Sequence, residues 1–157
     1  VSKFIRISFG DITGDDHRSN ILALFDASDA PGGEIRYFHY DEGVNTDGAS
    51  GGVPGGFVIQ TGEKNLYIAG DTALSMDMKL IPLFTKLDLA VLPIGDNFTM
   101  GPDEAVIASD FIECDRILGC HYDTFGYIEI DHAEAKKKFA DKGKELLLLD
   151  IGEKLSV

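Results

Sequence analysis

The sequence predicts a layered α/β domain, and three observations predict it. From Ser75 onward, stretches with helical spacing alternate with short runs of apolar residues, the order that builds a sheet flanked by helices. Before Ser75, two β-prone runs flank the polar turn Thr61-Gly62-Glu63-Lys64 and read as an antiparallel hairpin. The second of these runs ends in Ala69-Gly70-Asp71. A strand that stops on a glycine and then a carboxylate delivers that carboxylate to the end of a sheet, where open α/β sheets bind their ligands.

Taken in order, Lys3 to Ser8 alternates apolar and polar residues and reads as a strand. Gly10 to Ser19 is polar, with the acidic patch Asp15-Asp16-His17, and Asn20 to Asp26 has a short helical pattern. Pro31-Gly32-Gly33 is a turn, and Glu34 to Tyr40 is an aromatic-rich strand. Asp41 to Gly56 is a glycine-rich loop, long enough to be functional or disordered rather than a plain connection. Phe57 to Gln60 and Leu66 to Ala69 form the hairpin. Ser75 to Thr85 has helical spacing through Met78, Ile81, Leu83 and Phe84, shortened or kinked by Pro82. Leu87 to Ile94 is almost unbroken apolar sequence, as in a strand buried on both faces.

Pro102-Asp103-Glu104 opens a helix that runs to Phe111, with proline and acids in the favoured first turn. Arg116 to Cys120 is the next strand. His132 to Lys142 is a helix that stops near Gly143. Glu145 to Asp150 reads as an apolar strand and Glu153 to Val157 as a last edge strand.

A chain of 157 residues supplies one domain with a real core and is too short for two ordinary ones. Its 44% hydrophobic and 26% charged residues are those of a globular protein. The net charge of −13 argues against nucleic-acid or membrane partners, because neutralising phosphates takes clustered Lys and Arg. The basic run Lys136-Lys137-Lys138 lies among acids (Glu134, Asp141) and reads as a solvated helix face. No apolar run approaches the ~18 residues of a membrane span, and no signal-peptide pattern opens the sequence. Cys114 and Cys120 fall at opposite ends of one short strand, so no disulfide between them is expected. Reduced thiols point to a cytoplasmic protein.

The chemistry sits at strand ends. Arg116-Ile-Leu-Gly-Cys-His121 is a second apolar run that stops on a ligand-type residue. Asp and His suit zinc, iron or manganese, and an Asp bridging two metals is a common way to activate water. Alone, a carboxylate after a strand more often caps a helix or a turn, and a lone histidine is more often simply buried. The pair gains force from a third strand end, Pro93-Ile-Gly-Asp-Asn-Phe-Thr-Met-Gly-Pro102. Polar groups therefore gather at three successive strand ends: Asp71, Asp96 to Thr99, and His121 with Asp123.

In this order and spacing, five segments resemble the metallo-β-lactamase superfamily. They are Gly56-Phe-Val-Ile59, Ala69-Gly-Asp-Thr72, Met76-Asp-Met-Lys-Leu-Ile81, Leu92 to Gly101 and His121-Tyr-Asp-Thr-Phe125. The nearest likeness is to small prokaryotic metal-dependent hydrolases of unknown substrate, over residues 51–157. The resemblance implies a single domain with an αββα sandwich and a metal site at one edge, incomplete or diverged over residues 1–50. It implies that Asp71 is a carboxylate shared by two metals and His121 the last metal-binding histidine, both serving catalysis. Asn97, Thr99 and Thr124 would line the substrate pocket.

Family members carry a longer N-terminal half with a His-x-His-x-Asp-His motif. This chain has four histidines, at 17, 39, 121 and 132, too few for a full motif alongside the rest. In one alignment Ile7 to His17 is an eroded copy that keeps Asp16-His17. In another, His39 matches the histidine before the family's glycine-rich loop, and Gly51-Gly52 the loop itself. Asp16, His17 and His39 are therefore further candidate ligands, while His132, beside Asp131 at a helix start, reads as a capping-region residue.

The resemblance implies a divalent metal, zinc first and manganese or iron next, acting on a small ester, lactone, amide or phosphodiester. The alternative is a truncated or degenerate relative that serves as an interaction module. A homo-oligomer or a complementing N-terminal chain would cover the sheet edge or apolar face such a truncation exposes. A metal-free carbohydrate- or nucleotide-binding domain has no fingerprint here, since neither a Gly-x-Gly-x-x-Gly motif nor a P-loop is present.

Overall fold

The computed structural model describes residues 55–157 in full and residues 34–39 as backbone. Six strands of the described residues form one sheet in chain order. They are β1 (Glu34–His39), β2 (Gly55–Gln60), β3 (Asn65–Ile68), β4 (Leu89–Pro93), β5 (Arg116–Cys120) and β6 (Glu145–Leu147). The first three pair antiparallel, and β3 to β6 are parallel.

The change of direction follows from the connections. Between β2 and β3 the chain turns within four residues, with the Thr61 hydroxyl oxygen accepting from Lys64 N at 3.0 Å. Each later strand is reached by a helical crossover, which parallel pairing requires.

Alternation along the central strands sends side chains to two apolar faces. Tyr67, Ala90, Leu92 and Ile117 point to the helical side, where they pack with Met78, Ile81, Ala105, Ile112 and Phe139. Leu66, Leu89, Val91 and Leu118 point to the other side. All of β4 is buried, as its unbroken apolar sequence predicts. A fully buried Leu or Ile contributes about 1.5–3 kcal/mol, so this central strand anchors both layers.

The helices follow their sequence signals. In α1 (Pro102–Phe111), proline opens the first turn and Glu104 accepts from Gly101 N at 3.2 Å. In α2 (His132–Ala140), the Asp131 carboxylate caps the N-terminus by accepting from Glu134 N at 2.9 Å. Gly143, at φ +73°, lets the chain leave the helix. The basic run on α2 is engaged by acids: Lys137 pairs with Asp141, and Lys138 with Glu134 at 3.3 Å and with Asp103 of α1 at 2.8 Å.

Three elements differ from expectation, the first being the strand expected from Glu145 to Asp150, which ends at Leu147. The segment after Ser75 is a 3-10 helix (Met76–Leu83). Pro82 withholds the donor an α-helical ladder needs, and the tighter winding places Met78 and Ile81, three apart, on the buried side. The expected strand Glu153–Val157 is not one. After β6, which ends at Leu147, the chain turns at Asp150 (Glu153 N to Asp150 O, 2.9 Å). Leu155 and Val157 then lie against the second apolar face. Their spacing of two serves packing on the sheet rather than pairing at its edge. The expected strand 3–8, the helix 20–26 and nearly all of the loop 41–56 lie outside the described residues.

Candidate metal centre

Because β3, β4 and β5 are parallel, their carboxyl ends share one edge of the sheet. Asp71 follows β3, Asp96 follows β4 and His121 follows β5. Two antiparallel steps give β1 the direction of β3, so His39, which opposes Gly55, also closes at this edge. Nothing beyond that backbone position is described for His39. Asp16 and His17 lie outside the described residues.

Asp71 is exposed, and the backbone behind it is tightly built. Gly70 has φ +65°, and a Cβ there would sit 2.6 Å from the carbonyl oxygen of Gly55. No other residue fits between β2 and β3 at this point. The buried Thr72 hydroxyl donates to Ala69 O at 3.1 Å and fixes the turn from inside. Asp71 also makes itself felt at the end of β5. Burial pushes the Cys120 thiol well up, and the charge of Asp71 pushes it further. The carboxylate therefore acts electrostatically on the residue next to His121.

The loops after β4 and β5 are strained together. Five non-glycine residues among those described have positive φ, and four belong here: Asp96 (62°), Asn97 (54°), His121 (54°) and Asp123 (59°). Such conformations cost of order 1–3 kcal/mol each and persist where surrounding structure enforces them. Gly95 supplies part of that enforcement, since a Cβ there would lie 2.1 Å from the carbonyl oxygen of His121. Across the loops, the Asn97 side-chain amide donates to Tyr127 O. Phe98 and Phe125 meet with ring centroids 6.0 Å apart.

His121 is half-buried, and its buried Nδ1 has no hydrogen-bond partner among the described residues. A buried imidazole nitrogen left unsatisfied is costly, and it is the type of donor zinc takes. With Asp71 on the same edge, the residue types fit a divalent metal. They do not complete a site, because among the described residues no three His, Cys, Asp or Glu side chains are grouped to hold an ion. Asp71 and His121 follow strands two apart in the sheet, about 10 Å between backbones at the usual strand spacing.

The remaining candidates divide. Asn97 is exposed and its amide bridges the two loops. Thr99 is partly buried, with its hydroxyl turned to Met100 O at 3.5 Å, and Thr124 is exposed. Asp123 has both carboxylate oxygens engaged, one by Ile130 N at 3.0 Å and the other by His132 Nε2. That contact escapes sequence reading because the eight residues between its members carry no periodic signal. Its one trace is a carboxylate and a histidine flanking the same short loop.

No protein-family model matches the chain. Over 111 residues, the chain is 76% identical to a UPF0173 metal-dependent hydrolase of Christiangramia forsetii, covering 71% of this chain and 49% of that protein. It is 47% identical over 121 residues to one of Methylacidiphilum infernorum, covering 74% and 54%. The chain thus spans about half the length of the curated relatives it matches. Among solved structures, the metallo hydrolase Igni18 of Ignicoccus hospitalis matches with a TM-score of 0.70 at 29% identity, over 85% of this chain and 56% of that one. The metallo-β-lactamase fold protein YhfI of Bacillus subtilis matches with a TM-score of 0.61 at 16% identity, over 80% and 50%, a likeness of fold alone.

Proposed function

We propose that this chain, which has the fold of the metallo-β-lactamase fold protein YhfI and is similar to the UPF0173 metal-dependent hydrolases, serves as a metal-dependent hydrolase. In this reading Asp71 and His121 hold a divalent metal and are the catalytic core of the site. The observation that carries the reading is the placement, at one sheet edge, of Asp71 and of a buried His121 Nδ1 that has no hydrogen-bond partner among the described residues.

The metal in this reading is zinc first and manganese or iron next, since a carboxylate with imidazole suits all three. When bound, such a metal lowers the pKa of a coordinated water and polarises the bond to be cut. The substrate is a small ester, lactone, amide or phosphodiester. Asn97, Thr99 and Thr124 face it from the loops beyond the metal. A net charge of −13 disfavours heavily anionic substrates.

Zinc sites use three or four protein ligands, and two are named among the described residues. His39 is the best-supported further donor, since its strand closes at the same edge. Asp16 and His17 are the others. A second reading is a subunit or interaction module completed by another copy or another chain. It is favoured by the incomplete donor set among the described residues.

Metal analysis of the purified chain, with Asp71→Ala and His121→Ala beside it, tests the first reading. One equivalent of zinc or more in the wild type, lost from both variants, is expected. Equal metal content in all three proteins overturns it. Size-exclusion chromatography with and without zinc tests completion by another copy, which requires a larger species to form with the metal.

A further inference from the structure

The loop that carries His121 is closed by a clasp. Asp123 N donates to Ile128 O at 2.9 Å, which folds the loop back on itself. One Asp123 oxygen accepts from Ile130 N at 3.0 Å, and the other meets His132 Nε2. A carboxylate only accepts, so Nε2 carries the hydrogen in this contact. The Tyr122 ring stands edge-on to the His132 ring, with centroids 5.5 Å apart.

His132 is the first residue of α2, so the clasp ties the loop to a helix that is itself capped and salt-bridged to α1. On its other flank, the loop is pinned where Gly95 lies against the His121 carbonyl and Ile128. Between these fixed points His121 and Asp123 are both left-handed. A chain free to relax would leave that region, which favours glycine.

We infer that Asp123 and His132 are positioning residues for His121, holding it in the left-handed conformation from which its ring serves the metal. The inference rests on the reading of His121 as a ligand. It predicts that metal affinity depends on two side chains that do not touch the metal. Groups one step removed from a metal commonly shift affinity about 10–100-fold.

The test is zinc binding by competition with a chromophoric chelator, using the full chain, His132→Ala, His132→Gln and Asp123→Ala. His132→Ala is expected to weaken zinc binding about tenfold at an unchanged circular dichroism spectrum, because His132 is an exposed residue on a formed helix. His132→Gln, whose amide restores a donor to Asp123, is expected to recover most of that loss. A general loss of packing would not be rescued in this way. Asp123→Ala is expected to weaken binding at least as much as His132→Ala. Tight zinc binding by the wild type with equal affinity in His132→Ala overturns the inference and leaves the metal site standing. No zinc binding by the wild type overturns both.

Discussion

At the scale of single residues, glycines fix where the chemistry goes. Gly70 and Gly95 each occupy a point where a Cβ would collide with backbone, 2.6 Å from Gly55 O and 2.1 Å from His121 O. A backbone oxygen cannot swing aside as a side chain can, so relief requires the strand ends to part. Gly95→Ala is therefore expected to lower stability by about 1–3 kcal/mol or more, read as a fall in the urea midpoint. A midpoint unchanged within error would show that the strand ends do not hold each other as described. Sequence reading singled out Asp71 and His121 because each terminates an apolar run, a local and visible pattern. It missed the influence of Asp71 on Cys120, which arises across the sheet between residues 49 apart and leaves no local trace.

At the scale of elements, legibility tracked periodicity. The hairpin, the unbroken β4, and α1 and α2 with their first-turn acids all announced themselves through spacing and caps. The winding of the segment around Pro82 did not, because three- and four-residue spacings of apolar residues look alike over eight positions. The C-terminal run misled for a sharper reason. Leu155 and Val157 alternate as strand residues do, yet they cover the sheet face that holds Leu66, Leu89, Val91 and Leu118. Leu155→Asp is accordingly expected to cost about 1 kcal/mol or more, measured by thermal or urea unfolding. An unaffected transition would mean that the tail contributes nothing to that face.

At the scale of the whole molecule, the described sheet gathers strand ends from distant parts of the chain, and charge sets what they attract. Both support a cation at the candidate edge. Zinc at a hundred times its Kd is expected to stabilise the protein by about 2.7 kcal/mol, and excess EDTA to remove the gain. For a chain of this size that corresponds to a rise of roughly 5–10 °C in Tm, readable by scanning calorimetry. A Tm indifferent to zinc and to EDTA would refute specific binding to the folded form. The overall α/β class was readable because it depends on the order of elements. The donor set was not, because ligands meet by topology, and Asp16, His17 and His39 carry no spacing that selects among them.

The doubled reversal of direction from β1 to β3 also bears on the order of events in folding. Residues 39, 71 and 121 reach one edge only after the intervening strands have registered. These are non-local pairings, which form slowly because long loops must close first. Small zinc modules fold around their ion. An ion held by these residues, as proposed, would have nothing to grip until the sheet exists, so its capture would come last and the polypeptide would find its shape without that help.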